Sequence, residues 1–357
     1  MKILVMALPG IGDALMCTPA IELAKKFRPD ISIDVLTMYK GAEEIFKRME
    51  EVEQTYCFDF MKEGFFRSLR FINSIRGKYD ATVNIYPTNR KEYNVISRLI
   101  RAKKRGGVKY GHLDFKELGF LNNIRVEEDP SLHNVVENIR LFSEILGIEL
   151  TGSPGLRFAV SNEEREYADK FLHRHGINLT RPIVGFHAGG STLKDHINKR
   201  WQPEKFAGLG SRLSRENGAS ILVFGGNDER QLKDDIVARI KSQGVVSVDT
   251  NSLGETAGLI EKCDVFVSND SSMLHFAAAM ERKSVLVAGP INTAHSGPWQ
   301  TTYRVASLYL ECSPCFYYSP RPLTCSRSDM KFKCLKELGV ETVYEKVLEL
   351  LSSRRPG

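Results

Sequence analysis

The chain has 357 residues, 42% hydrophobic and 26% charged, with a formal net charge of +6. That length suffices for two domains with sizeable cores, and the composition is the ordinary one of a soluble protein. So modest a charge argues against a general nucleic-acid binder, and no apolar run approaches the ~20 residues that span a bilayer.

The N-terminal residues MKILVMALPGIGDALM open with a short apolar run, but Pro9, Gly10, Gly12 and Asp13 interrupt it too early for a signal peptide. The run reads as a buried first strand, and the expected location is cytoplasmic. Strands are predicted at 2–8, 31–37, 54–58, 81–86 and 105–108, and helices at 13–27, 41–49, 65–75, 89–100 and 134–146. Such alternation predicts a parallel sheet covered on both faces. TGSPGL, residues 151–156, is a turn cluster suited to a domain junction. Beyond it the pattern repeats, with strands at 183–187, 219–224, 245–248, 264–268 and 284–288 and helices at 162–175, 203–216, 229–242, 254–261 and 271–280. The expected organisation is two doubly wound domains, 1–155 and 156–340, followed by a terminal segment, 341–357, that carries a last amphipathic helix. Ligands in such folds gather at the carboxyl ends of strands, so a cleft between the two domains is the expected site.

Four loops and one charged stretch carry chemistry. LPGIGD, residues 8–13, places Gly10 and Gly12 after the first strand; a dinucleotide fingerprint is only partly matched, because Leu15 stands where the third Gly belongs. Asp34 lies near the place of a ribose-binding acid, but Asp13 at the helix start would repel a pyrophosphate. Asp13 could instead take a proton from an acceptor hydroxyl, or simply stabilise the helix N-terminus. HAGGSTLKDHINKRW, residues 187–201, offers backbone N–H groups at Gly189, Gly190 and Ser191 to phosphate, with Lys194, Lys199 and Arg200 as charge; a solvated basic loop is the ordinary reading. FGGNDE, residues 224–229, could present Asp228 or Glu229 to ribose hydroxyls, or be a plain turn. DVFVSNDSSMLHFAAAM, residues 264–280, reads as a buried strand, the capping residues Asp270 and Ser271, and a helix with His275 one turn in on the side of Ser271. Its unpaired N–H groups would attract phosphate, unless it is an ordinary capped helix with a packed His. Cys312, Cys315, Cys325 and Cys334 open with C-x2-C and suit a structural Zn or Fe site; free thiols or a disulfide are the alternatives. Finally, residues 90–116 hold nine Lys/Arg against two Asp/Glu, which predicts a basic surface for an anionic acceptor or acidic headgroups, or a solvated face.

Taken together, GIGDALMCTPAI, HAGGS with KRWQPEKF, and SNDSSMLHFAAA resemble glycosyltransferase family 9, the heptosyltransferases of lipopolysaccharide core assembly. The resemblance covers nearly the whole chain. It implies an α/β GT-B fold of two Rossmann-like domains, the first for the acceptor and the second for the nucleotide-sugar. It also implies inverting transfer with no catalytic metal. Residue by residue, it implies Asp13 as base, Lys199 as phosphate-binding lysine, and Asp270, Ser271, Ser272 and His275 as the donor loop. Gly189, Gly190, Ser191, Arg200 and Glu229 stand on the donor side, and Gly10 and Gly12 on the acceptor side. ADP-heptose is the donor the resemblance implies, a lipopolysaccharide or related glycan the acceptor, and the inner face of the inner membrane the place. Ser272 departs from the family's Gly, and Leu8-Pro9 from its more polar residues. Alternatives are a different nucleotide-sugar, a nucleotide-dependent oxidoreductase using Gly10, Gly12 and Asp34, and a binding protein without turnover.

Overall fold

The computed structural model describes residues 1–317 and 322–352, apart from the side chain of Leu193. The chain divides into two compact units, Met1–Phe158 and Ala159–Tyr317, the second continued by the described part of Arg321–Gly357.

In the first unit the order is β1 (Lys2–Ala7), α1 (Ile11–Phe27), β2 (Ser32–Thr37), α2 (Lys40–Lys47), β3 (Gln54–Cys57), α3 (Phe65–Ile75), β4 (Ala81–Asn84), α4 (Lys91–Ile100), β5 (Lys104–Lys109), β6 (Ile124–Glu127) and α5 (Asn134–Leu146). The sheet runs β3-β2-β1-β4-β5-β6, all parallel. β1 and β2 are buried from their second residue onward, as strands covered on both faces must be. Inside α1, Pro19 has no N–H to give the carbonyl of Leu15, and the Thr18 hydroxyl donates to that carbonyl instead at 2.8 Å. The same hydroxyl accepts from the backbone N–H of Arg157 at 3.0 Å, tying the end of the unit to α1.

In the second unit come α6 (Asn162–Arg174), β7 (Ile183–His187), α7 (Pro203–Asn217), β8 (Ser220–Val223), α8 (Arg230–Arg239), β9 (Val245–Ser247), α9 (Leu253–Glu261), β10 (Val265–Asn269), α10 (Ser272–Ala279), β11 (Lys283–Val287), α11 (Thr293–Ser296), β12 (Tyr303–Ala306), α12 (Lys333–Lys336) and α13 (Val340–Ser352). The sheet order, β12-β11-β10-β7-β8-β9, repeats that of the first unit. Val343, Val347 and Leu350 of α13 share one core with Val184, Val265 and Val285 of the strands, so the last helix is part of this unit. Trp201 is fully buried in that core, its ring 5.1 Å from Phe206, and its indole N–H donates to the Leu338 carbonyl at 2.9 Å.

Two strands escape the sequence reading, β6 and β12, the last edge of each sheet. IRVE and YRVA are short and half-exposed and carry charge, as edge strands do, so neither shows an apolar run. The basic stretch is less available than its composition implies. Lys104 Nζ donates to the Ile145 carbonyl at 2.8 Å, and the Arg105 guanidinium to the carbonyls of Ala102 and Leu121 at 2.9 and 3.0 Å.

In each sheet the chain reverses its direction of growth between two central strands, β1 and β4 in one, β7 and β10 in the other. Loops at such switch points open a crevice at the carboxyl edge. The segment Gly10–Asp13 follows β1, the HAGGS segment follows β7, and Asp270–Ser272 follows β10.

Candidate active site

The second unit draws the loops after β7, β8 and β10 into one cluster. Gly189 is required by the carboxylate beside it: a Cβ there would lie 1.9 Å from Glu229 Oε1. Gly190, at φ +139°, has a backbone few other residues adopt. Glu229 accepts from the N–H of Gly190 at 2.7 Å and of Gly226 at 3.2 Å, from Arg200 Nη2 at 3.3 Å, and from His187 Nε2 at 3.0 Å. Burial raises its carboxyl, but His187, the Gly190 N–H and Arg200 outweigh burial and hold it at about 2. An ionised carboxylate only accepts, so His187 carries its proton on Nε2. In the neutral ring Nδ1 then accepts from the Ser271 hydroxyl at 2.8 Å. Glu229, expected to face a ribose, thus has both oxygens engaged in pinning the loops.

Ser271 precedes α10 at the N-cap position, yet its hydroxyl makes no cap bond; it is committed to His187 and lies 3.0 Å from Ser268 Oγ. Asn269 locks the same corner, accepting from the Trp201 N–H at 2.9 Å and donating to the Ala188 carbonyl at 2.8 Å. Lys199 Nζ pairs with Asp270 Oδ2 at 2.7 Å and sits 4.6 Å from the centre of the Phe316 ring. Burial pushes the Asp270 carboxyl up and the charge of Lys199 more than reverses this, so it lies below the usual range. His275 is buried, which lowers its pKa, and its Nδ1 has no hydrogen-bond partner. Arg200 Nε is likewise buried without a partner. A Cβ at Gly190 would be 4.0 Å from Arg200 Nε, from the Asp270 carbonyl and from Ser271 Cβ, which shows how tightly these groups converge. Ser191 is exposed beyond Gly190, and Ser272 is the first residue of α10. Lys199 and Arg200, each paired to a carboxylate, converge with the start of α10 and the unpartnered His275 Nδ1, a cradle whose open Arg200 Nε and helix-start N–H groups suit an anion.

In the first unit Asp13 is the third residue of α1, half-buried, and its Oδ2 accepts from the Gly10 N–H at 3.2 Å. The Gly10–Gly12 turn thereby fixes a carboxylate at the carboxyl edge of β1. Asp34 does not stand where a ribose-binding acid would. It pairs with Leu4 in mid-strand, is buried, and takes hydrogen bonds or charge from Tyr79 Oη at 2.6 Å and Lys2 Nζ at 3.1 Å. A ribose-binding acid belongs at the carboxyl end of that strand, so the oxidoreductase reading loses its acid.

The four thiols have the donor chemistry of a soft-metal site. Burial raises the Cys334 thiol, and Cys315, Cys325 and Cys312 raise it further, so the four lie within electrostatic reach. Arg327 Nη1 donates to Cys312 Sγ at 3.7 Å and the Phe332 N–H to Cys325 Sγ at 3.3 Å. As placed, no three His, Cys, Asp or Glu among the described residues gather closely enough to hold a metal.

A family model, glycosyltransferase family 9 (heptosyltransferase), matches residues 68–322, more than half of the chain. The chain belongs to glycosyltransferase family 9. Among relatives of this heptosyltransferase-family chain, lipooligosaccharide heptosyltransferase 2 of Campylobacter jejuni is 30% identical over 48% of this chain. The match spans about half, 52%, of that relative's length. Lipopolysaccharide heptosyltransferase 2 of Escherichia coli is 26% identical over 86% of this chain and 88% of its own. The structure of E. coli ADP-heptose lps heptosyltransferase II superposes with a TM-score of 0.73 at 21% identity, covering 98% of both chains, and shares the GT-B fold.

Of the three family motifs, GIGDALMCTPAI forms the turn and helix start after β1 in the first unit, and the other two, HAGGS with KRWQPEKF and SNDSSMLHFAAA, form corners of the cluster. Three members went unassigned in the sequence. His187, the first residue of HAGGS, joins the loops; Asn269 of SNDSS locks β10 to the loop after β7; Phe316, beside Cys315, covers Lys199. His196 packs edge-on to Phe316 at 5.3 Å and is lowered to about 4 by burial and the nearby lysines. The CSPCF motif hints at Phe316 only by adjacency.

Proposed function

We propose that the chain transfers a heptose from ADP-heptose to a hydroxyl of a lipopolysaccharide core or related glycan, with inversion and without a catalytic metal. The observation that carries this is the cradle of the second unit, where Lys199, Arg200, Gly190 and the start of α10 converge. Family membership and the relatives' names support the sugar and the nucleotide. Asp13 takes the proton of the acceptor hydroxyl as its oxygen bonds to the anomeric carbon. The bond from that carbon to the diphosphate breaks, and ADP leaves with the electron pair. Negative charge grows on the diphosphate in the transition state, where Lys199 and the helix start stabilise it most. Attack from the face opposite the leaving group inverts the anomeric centre.

The same reading makes the protein cytoplasmic, with peripheral contact to the membrane that carries its acceptor. Among the described residues no helix is long and apolar enough to cross a membrane. For Cys312, Cys315, Cys325 and Cys334 the reading is a structural Zn or Fe that draws the four thiols together; four thiolates would saturate it, so no step of transfer passes through it. Metal analysis of the purified protein tests that part.

The test of the main reading is a thermal-shift panel of ADP, UDP, GDP and NAD, followed by transfer from ADP-heptose. A ligand at 100 times its Kd stabilises by about 2.7 kcal/mol. Stabilisation by ADP and turnover of ADP-heptose are expected. Stabilisation by UDP or GDP instead would move the donor to another nucleotide-sugar, and stabilisation by NAD alone would return the oxidoreductase. ADP binding with no transfer to any glycan would leave a binding protein.

A further inference from the structure

In the first unit, five large apolar side chains are more than half exposed: Met61 (74%), Phe65 (74%), Phe66 (85%), Phe115 (78%) and Phe120 (51%). All five lie in segments that leave the carboxyl ends of two strands. Met61, Phe65 and Phe66 follow β3, at one side of the sheet. Phe115 and Phe120 follow β5, towards the other side, with ring centres 5.4 Å apart. The β5 segment is tied back to the carboxyl side of β4 by Asn89 Nδ2 donating to the His112 carbonyl at 2.8 Å and the Lys91 N–H to Glu117 Oε2 at 3.0 Å. Tyr39, 42% exposed, adds a further aromatic ring after β2. The Gly10–Asp13 turn leaves β1 between them, on the same edge.

The sequence explains why these rings face outward. α3 buries only Ile72 and Ile75, towards its end; Phe65 lies two turns before Ile72 on the same face but in the first turn, where it stays exposed, and Phe66 points away from that face. Burial gives these phenylalanines no reason to stand there, and exposed large apolar side chains gathered in two groups on one edge mark an interaction surface. The charge around them selects the partner. Arg70 is exposed beside the first pair, with Lys62 and Arg67 next to it paired to Asp59 and Glu63, and Lys91 and Lys116 are exposed beside the second, where Asp114 and Glu117 also stand. Over residues 61–78 there are five Lys/Arg and one Asp/Glu. Exposed aromatic rings with a net excess of Lys and Arg about the first group fit the boundary between acyl chains and anionic headgroups.

We infer that the carboxyl edge of the first unit docks on an anionic lipid bilayer, with Phe65 and Phe66 at one end and Phe115 and Phe120 at the other entering the interface. The docked edge is the one that carries Asp13, so a lipid-linked acceptor would meet its base at the membrane surface. That purpose rests on the transferase reading; the docking itself rests on exposure and charge.

The experiment is co-sedimentation of the full chain, without donor or acceptor, with vesicles of phosphatidylcholine and with vesicles of equal parts phosphatidylcholine and phosphatidylglycerol. The protein should pellet with the anionic vesicles, less with the neutral ones, and less again in high salt. Phe65→Ser with Phe66→Ser should lower the partition coefficient about 100-fold. Phe115→Ser with Phe120→Ser should weaken it as well, while Leu99→Ser, on the exposed face of α4, should not. Circular dichroism and ADP stabilisation should be unchanged in all three, which separates this test from the donor reading. Wild-type protein that ignores both vesicles, or phenylalanine variants that bind like wild type, would overturn the inference. So would a lipid-free dimer, seen by sedimentation velocity, that the Phe65/Phe66 variant dissolves, because the patch would then be an interface between copies.

Discussion

Replacing Lys199 by Ala perturbs two things that the structure keeps together. The amine is 2.7 Å from the Asp270 carboxylate, and both side chains are mostly buried, 12% and 14% exposed. Removing it strands that carboxylate. Breaking a fully buried pair costs about 3–5 kcal/mol, so about 2–3 kcal/mol is expected at this residual exposure. For a unit of this size that lowers Tm by about 5–10 °C. The second effect is on binding: a charge-assisted hydrogen bond to the diphosphate contributes about 1.5–3 kcal/mol, so ADP affinity should fall about 10- to 150-fold. Adding Asp270→Ala separates the two. The double variant no longer holds a stranded charge and should recover most of the lost Tm, but not the affinity. Thermal denaturation and calorimetric titration with ADP read both quantities. If ADP affinity returns together with stability, Lys199 serves only to neutralise Asp270, and its assignment to the donor phosphate is wrong.

Three further outcomes follow from the same cluster. Glu229 has its carboxyl lowered from 4.5 to about 2, so it contributes about 3 kcal/mol of stability above pH 4.5 that is lost as pH falls towards 2. Glu229→Gln should flatten the acid side of the stability profile, and an unchanged slope between those pH values would refute the network. Gly189→Ala puts a methyl group on Glu229, displacing it from Gly190 and His187; a loss of about 1–3 kcal/mol and weaker ADP binding are expected, and wild-type values would show that the carboxylate is not held there. His187→Phe keeps the ring volume but leaves Ser271 and Glu229 short of a partner; kcat should fall with little change in secondary structure, and full activity would remove His187 from the site.

Much of this was legible in the residues, and what was not has physical causes. Continuous apolar runs such as ILVMA (3–7) and VFV (265–267) are the mark of strands buried on both faces, and they yield the two doubly wound sheets. The half-exposed edge strands IRVE and YRVA carry no such mark. The loops were found because Gly, Ser and Asp after a strand are visible as turn chemistry. Their interior was not: His187 meets Ser271 and Glu229 across 84 and 42 residues of sequence, and no local pattern records so distant a pairing. Glu229 and Ser271 were assigned outward roles from their types, whereas the fold spends them on its own loops. Asp34 misled through its position alone, because the register that buries it beside Leu4 is a property of strand pairing.

The most direct measurement is the turnover and ADP affinity of Asp13→Asn. The amide keeps an oxygen for the Gly10 N–H, so the turn and the start of α1 should lose no more than about 1 kcal/mol, the scale of a helix-terminus charge. ADP should bind as in the wild type, while kcat for transfer should drop by about 10²–10⁴-fold, the range for a lost general base. Near-normal kcat with the small stability loss alone would mean that Asp13 is only a helix-capping residue, and the proton must go elsewhere.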